Sequence, residues 1–216
     1  MRYWIKKWIR DALPAPVLLA YHRGLSLFAA ALFGFPSRKL LVIGVTGTKG
    51  KTTTAFYLSR MFLGAGYRVG LATTAVIRVA DHEWLNDAKM TMYGRFALQR
   101  LLHDMVRAEC AVAIIESSSE GLAMWRHAGI AYDTAVFTNL TPEHLEAHGS
   151  FAAYQAAKER LFAALGAGSQ RKKMLDGKHI PSRSVVNADD THAAAFAAYP
   201  ADEYWSYGTG VQETPH

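Results

Sequence analysis

Gly44-Val45-Thr46-Gly47-Thr48-Lys49-Gly50-Lys51-Thr52-Thr53 is the stretch on which the fold turns. It follows the apolar run Leu40 to Val45, which reads as a buried strand. It opens a segment in which Ala55, Leu58, Phe62 and Ala65 recur at helical spacing. Strand, glycine turn and helix in that order are the setting of a phosphate-binding loop. Gly47 and Gly50 let backbone N–H groups turn inward on an anion with no Cβ in the way, and a helix starting near Lys51 adds its positive end. On this reading Gly47, Thr48, Lys49, Gly50, Lys51, Thr52 and Thr53 bind a nucleotide. Lys51 reaches the terminal phosphates and the Thr52 hydroxyl sits on Mg²⁺. The general pattern wants a glycine five residues before the Gly-Lys pair; Val45 stands there, with Gly44 one place earlier. The competing reading is a purely structural turn, but Gly-Lys-Thr between a strand and an amphipathic helix favours the nucleotide.

The chain has 216 residues, half of them apolar, which suits a globular domain with one sizeable core. A net charge of +6 fits phosphorylated, acidic ligands and anionic membrane surfaces equally well. No nucleic-acid partner is expected. The single cysteine, Cys110, excludes an internal disulfide and points to a reducing, cytoplasmic setting. Standing before the apolar run Ala111 to Ile115, it reads as packing. The nine histidines show no zinc-like pairing with cysteine.

Residues 1–38 read as an apolar and basic helical arm, and 39–216 as the nucleotide-binding domain. Trp4, Ile5, Trp8 and Ile9 fall on one helical face with Lys6, Lys7 and Arg10 mostly off it, the pattern of an interfacial helix. His22 and Arg23 interrupt the apolar run from Val17 to Phe35 and leave Leu25 to Phe35 too short to span a bilayer. The arm is therefore expected either to pack on the domain or to lie on the inner membrane surface, with a cleaved signal as a third reading.

Beyond the first helix, Arg68 to Thr73 reads as a second strand with a hairpin partner at Ala75 to Val79, and Asp81 to Lys89 as a polar loop. Phe96, Leu98, Leu101, Leu102 and Met105 suit a helix facing a sheet. Ala111 to Ile115 and Thr134 to Phe137 read as buried strands, with a short helix near Leu122 to His127 between them. Phe151 to Leu165 follows as a helix, then a basic loop from Gly166 to Arg183 and a strand at Ser184 to Val186. Asp189 and Asp190 are expected to cap an Ala-rich helix before the last strand, Tyr204 to Tyr207. The alternation predicts an α/β fold: a mostly parallel sheet with helices on both faces and ligand groups at the carboxyl ends of its strands.

Three further candidates fall at or just after such ends. Glu116 heads Glu116-Ser117-Ser118-Ser119. His144 lies in Thr138-Asn139-Leu140-Thr141-Pro142-Glu143-His144-Leu145-Glu146. Lys158 lies in Tyr154-Gln155-Ala156-Ala157-Lys158-Glu159-Arg160-Leu161-Phe162. A carboxylate at position 116 can face the cation that Thr52 touches, because neighbouring parallel strands deliver their ends to one crevice. Singly, each has a plain alternative: a helix cap, a loop histidine, a solvated helix lysine.

Together, in this order and spacing, the loop and these three segments resemble the central ATP-binding domain of the Mur ligases, and within that family the UDP-N-acetylmuramoyl-tripeptide synthetases. The resemblance runs from about Leu40 to Gly208 and includes Val186-Asn187-Ala188-Asp189-Asp190. It implies that Lys51, Thr52 and Asn139 serve the nucleotide and that Thr52, Glu116, His144 and Lys158 hold Mg²⁺. It also implies that Lys51, Lys158 and His144 are catalytic, with Lys158 at the position that is carbamylated in the family. Thr91, Ser118 and Arg126 match contacts to the muramoyl-peptide substrate. Departures are visible. Glu143-His144-Leu145-Glu146 stands where the family usually reads Asp-His-Leu-Asp, Thr91-Met92-Tyr93 replaces Thr-Thr-Pro, and Met124 replaces a glutamine. The family's UDP-binding and C-terminal domains are not expected within these residues, so a separate C-terminal ligase domain is an expected partner. The implied reaction is ATP-dependent joining of an amino acid to a UDP-muramoyl peptide through an acyl phosphate. Two rivals stand beside it: a folylpolyglutamate-type ligase, and a non-catalytic, membrane-associated nucleotide-binding module.

Overall fold

The computed structural model describes residues 14–88, 90–143, 145–165 and 174–210. The chain starts with helix α1 (Ala15–Leu32) and a 3-10 turn (Pro36–Lys39), then enters strand β1 (Leu41–Thr46) and helix α2 (Lys51–Gly64). Strands β2 (Val69–Ala72), β3 (Val76–Val79) and β4 (His82–Leu85) precede α3 (Arg95–Arg107) and β5 (Val112–Glu116). Next come α4 (Ser119–Ala123), β6 (Thr134–Phe137), α5 (Leu145–His148) and α6 (Phe151–Ala163). A small hairpin of β7 (Met174–Leu175) and β8 (Lys178–His179) leads to β9 (Arg183–Asn187), α7 (Ala193–Ala197) and β10 (Glu203–Tyr207).

Eight strands form one sheet in the order β10-β9-β6-β1-β5-β2-β3-β4. From β10 to β2 all neighbours are parallel, and β3 and β4 add an antiparallel edge. The apolar run of β1 is buried on both faces, as a central parallel strand must be. Leu41, Ile43 and Val45 join Val112, Ile114 and Val136 under α2. Val42, Ala113, Ile115 and Phe137 face the layer holding α3, α4 and α6. Gly44 belongs to that second layer. A Cβ there would lie 2.6 Å from Leu161 Cδ1 and 2.8 Å from Tyr132 Cε1. The glycine out of register with the usual loop pattern thus lets α6 approach the central strand, which brings Lys158 to the loop.

Four sequence expectations are corrected. Asp81 to Lys89 is not simply a loop, because β4 pairs with β3 across a tight turn at Ala80 and Asp81, with Ala80 at φ 53°. As an exposed edge strand it lacks the apolar run that marks a buried one. The stretch expected as a basic loop from Gly166 to Arg183 carries the β7–β8 hairpin, in which Met174 pairs with His179 and Leu175 with Lys178. The short helix expected near Leu122 to His127 starts earlier, at Ser119, because Ser118 Oγ accepts from Gly121 N. Asp189 and Asp190 do not cap α7, whose N-cap is His192. Asp190 instead accepts from Leu140 N at 2.8 Å and Asp189 from Thr209 N at 2.8 Å, so both tie loops together.

Helix α1 packs on α3, with Phe28 against Phe96 and Phe33 against His103. The joint is fixed by Ser37, whose Oγ accepts from Ala131 N at 3.0 Å. Val17, Tyr21, Phe28 and Leu32 remain exposed. Among the described residues no helix is long and apolar enough to cross a membrane. The Trp4, Ile5, Trp8 and Ile9 face lies outside the described residues.

Candidate functional site

The loop between β1 and α2 is held in an anion-ready shape from outside itself. Gly47 has φ 147°, and a Cβ there would fall 1.9 Å from Thr138 Oγ1; Gly50 is left-handed at φ 79°. Only glycine fits the first position, and it is strongly favoured at the second. Asn139 clamps the loop by accepting from Lys49 N at 2.9 Å and donating to Lys49 O at 3.0 Å. Thr48 Oγ1 accepts from Thr141 N at 2.9 Å and lies 3.0 Å from Tyr154 Oη. The N-terminus of α2 opens directly onto this loop, and its N-cap, Gly50, offers its first N–H groups no side-chain cap, the arrangement of a helix end that can take an anion.

Two lysines converge here. Lys51 Nζ donates to Thr48 O at 2.8 Å, and Lys158 Nζ donates to Gly47 O at 2.5 Å. Lys158 is 2% exposed and lies 4.5 Å from the centre of the Tyr154 ring. Burial, reinforced by the nearby Lys51 charge, pushes its amine down to about 7. Burial also lowers Lys51, against the attraction of Glu116 and Glu143.

On the other side of the loop Thr52 Oγ1 donates to Glu116 Oε2 at 2.9 Å, and Thr74 N donates to the same oxygen at 2.8 Å. Parallel pairing of β1 with β5, which sets Val45 opposite Glu116, produces this meeting across the crevice. A hydroxyl and a carboxylate are hard oxygen donors, the set a Mg²⁺ ion takes while keeping its remaining positions for water and phosphate. Among the described residues no group of three or more His, Cys, Asp or Glu side chains could hold a metal. The hard oxygen donors that meet here among the described residues are Thr52 Oγ1 and Glu116 Oε2. His144 lies outside the described residues, and Lys158 presents an amine rather than an oxygen.

Thr91, Ser118 and Arg126 all line one cavity of about 280 Å³, together with Thr48, Lys51 and Lys158. Thr91 Oγ1 accepts from Thr74 Oγ1 at 2.9 Å, and Arg126 Nη1 donates to Met92 O at 2.6 Å. Thr53 is exposed on the first turn of α2. Sequence reading passed over Tyr154, although its place four residues before Lys158 puts both on one helical face. It also passed over Met90 and Glu120 in the cavity wall, whereas Met92 lies in the Thr91-Met92-Tyr93 segment already singled out.

Residues 45–214 match the model of the Mur ligase middle domain. The chain belongs to this family. The Mur ligase middle domain so matched contains the loop, Glu116, Lys158 and the cavity residues. A UDP-N-acetylmuramyl-tripeptide synthetase of Roseiflexus sp. (strain RS-1) is 40% identical over 187 residues, covering 85% of this chain and 36% of the relative. A UDP-N-acetylmuramoyl-L-alanyl-D-glutamate–2,6-diaminopimelate ligase of Bacillus velezensis (strain DSM 23117 / BGSC 10A6 / LMG 26770 / FZB42) is 36% identical over 195 residues, covering 90% of this chain and 38% of the relative. The chain thus spans little more than a third of those relatives' length. Among solved structures, a ligase of that second name superposes with TM-score 0.64 at 29% identity, over 80% of this chain and 32% of the other. Escherichia coli FolC in complex with DHPP and ADP superposes with TM-score 0.56 at 22% identity, over 95% and 54%, a likeness of fold alone.

Proposed function

We propose that the chain is the ATP-binding part of a Mur-type ligase that adds an amino acid to a UDP-muramoyl peptide. The observation that carries the reading is the single cavity that joins Lys51 and Lys158 to Thr91, Ser118 and Arg126. The residues assigned here to the phosphates and those assigned to the acceptor line one cavity, which supports the reading because a carboxylate has to meet a γ-phosphate. The acceptor carboxylate attacks the γ-phosphate of ATP, forming an acyl phosphate and releasing ADP. The amine of the incoming amino acid then displaces phosphate, forming the amide and losing a proton. Lys51 and the loop N–H groups orient the triphosphate and offset its charge, while Arg126 and Ser118 hold the acceptor. Thr52 and Glu116 are the residues that would hold Mg²⁺, which supplies further neutralisation of phosphate charge. His144 is assigned to the same cation, and Asn139 to the nucleotide as well as the loop.

Lys158 is assigned to a carbamate. Its neutral amine adds to CO₂ with loss of a proton, turning a buried cation beside the phosphate site into an oxygen anion suited to a hard cation. The amino-acid site is assigned to a C-terminal ligase domain. The location is cytoplasmic, with the exposed Val17, Tyr21, Phe28 and Leu32 of α1 supporting peripheral contact with the inner membrane surface. The fold alone would admit a folylpolyglutamate-type ligase; the sequence identity to muramoyl-peptide ligases favours the Mur reading.

The test is ADP and amide formation from Mg-ATP, a UDP-muramoyl dipeptide and amino acids, with the C-terminal domain of a Mur ligase supplied in trans. Product that needs Lys51 and Arg126 is expected. Product formed equally well by Lys51→Ala would overturn the reading.

A further inference from the structure

A helix that packs on a domain normally turns its charged and polar side chains to water. Helix α1 does not. Its inner side is seated closely, with Ala29 and Ala30 fully buried and Ala30 Cβ only 2.6 Å from where a Cβ on Gly129 would stand. Its outer side presents Val17, Tyr21, Leu27, Phe28 and Leu32, all exposed, with alanine and glycine filling the stripe between them. The helix has no carboxylate, and its one arginine, Arg23, stands at the edge of the stripe with Cζ 5.2 Å from the centre of the Trp125 ring.

The exposed apolar surface continues past α1 to the cavity. Phe28 meets the exposed Phe96 of α3 edge to face, with ring centroids 6.3 Å apart. Next to Phe96, Arg95 Nη2 donates to Met124 O at 3.1 Å, and the Met124 side chain is exposed. Met124 Sδ lies 3.5 Å from Arg126 Nη2, and Arg126 lines the cavity together with Met90, which is also exposed at the rim. Phe28, Phe96, Met124 and Met90 thus mark a path from the helix to the acceptor end of the cavity.

The charge around this surface decides what covers it. Residues 1–40 hold seven Lys and Arg against Asp11 alone, and α3 carries Arg95, Arg100 and Arg107 against Asp104 alone. The one carboxylate that lines the cavity, Glu120, is attracted by Arg126. A second copy would bring the same basic margin against itself. An anionic bilayer answers both parts, because the apolar stripe enters the boundary of the acyl chains while the arginines and lysines sit among the headgroups.

We infer that α1, Phe96 and Met124 form one docking surface for an anionic bilayer, and that the chain lies on it with the acceptor end of the cavity at the headgroup layer. This rests on the peripheral membrane contact proposed above and adds the face that makes it. Its consequence is that acceptor and product pass in and out of the cavity at the membrane surface. It does not depend on which reaction the cavity serves.

The test mixes the full chain with vesicles of phosphatidylcholine, with or without phosphatidylglycerol. Co-sedimentation reads binding, and an environment-sensitive fluorophore on single introduced cysteines reads orientation, Cys110 being buried. The labels go on Ala31→Cys in α1, Ala97→Cys beside Phe96, and Ser206→Cys on the remote strand β10. Binding is expected to need phosphatidylglycerol and to weaken at high salt, with an apolar shift of the labels at 31 and 97 and none at 206. Phe28→Gln with Leu32→Gln should lose at least tenfold in partitioning, and Phe96→Gln with Met124→Gln at least threefold, with unchanged melting temperature as the control for folding. Binding in which the label at 97 stays silent would overturn the docking face while leaving a peripheral contact through α1. No binding to anionic vesicles, or equal binding to phosphatidylcholine alone, would overturn both. A dimer that Phe28→Gln with Leu32→Gln splits, without vesicle binding, would assign the surface to a second copy and overturn the inference.

Discussion

Lys51 and Lys158 hold consecutive carbonyls of one loop, Lys51 Nζ on Thr48 O at 2.8 Å and Lys158 Nζ on Gly47 O at 2.5 Å. They are brought there by different means, Lys51 as the first residue of α2 and Lys158 from the middle of α6. Each charge makes the other harder to keep, and burial makes Lys158 the one that yields.

With its amine pushed down to about 7, Lys158 is roughly half neutral at neutral pH and able to react with CO₂. Chain equilibrated with ¹³C-bicarbonate is expected to show a lysine carbamate resonance that Lys158→Ala lacks. The signal should grow between pH 6 and about 8 as the amine loses its proton. A spectrum without that resonance at any pH in this range would rule the carbamate out for this chain.

The Thr52–Glu116 contact predicts how Mg²⁺ enters. Glu116→Gln keeps the shape and a hydrogen-bond partner for Thr52 but removes the charge. We expect ADP to bind this variant about as well as wild type without Mg²⁺, and about tenfold less tightly than wild type with it. An equal gain from Mg²⁺ in both proteins would remove Glu116 from the cation site.

Gly47→Ala asks whether the loop shape is imposed by packing. A Cβ would lie 1.9 Å from Thr138 Oγ1 and 3.0 Å from Asn139 backbone atoms, which cannot swing aside as a long side chain can. Destabilisation of about 1–3 kcal/mol is expected in chemical denaturation, with loss of nucleotide binding. A variant that keeps both stability and binding would show the loop to be looser than this packing implies.

His127 gives a pH signature away from the nucleotide. It is buried, stacked on Trp125, and pushed down to about 4 by burial and by the charges of Arg160 and Arg23. Between about 4 and 6.5 the unfolded chain takes a proton that the folded one refuses, so this contribution to stability is full above 6.5 and is lost as pH falls. Its size at pH 4 is on the order of 3 kcal/mol. His127→Phe keeps the stack and should flatten that part of the wild-type slope; a parallel slope in the variant would assign it elsewhere.

Much of this architecture was legible because buried parallel strands write themselves as apolar runs: Leu40 to Val45 and Ala111 to Ile115 both lie within one residue of the observed bounds. The exposed β4 was not legible, since His82–Leu85 carries no burial pattern and depends on a turn at Ala80 that takes an unusual φ for alanine. Glu116, Lys158 and Arg126 could be named from their segments. That Lys158 bonds Gly47, and that Thr91 and Arg126 share a cavity with Lys51, depends on sheet order and helix packing that no local spacing contains. The partnership of His22 with Arg95 spans 73 residues and leaves no trace in either segment.

The most direct test of the account is calorimetric titration of Mg-ADP into the wild-type chain and Lys51→Ala. Lys51 faces the loop with its ammonium on Thr48 O, poised to exchange that carbonyl for a phosphate oxygen. Saturable binding by wild type and a loss of about a hundredfold or more in Lys51→Ala are expected. Equal affinity in the two proteins, or none in wild type, would contradict the claim that this loop is a nucleotide site.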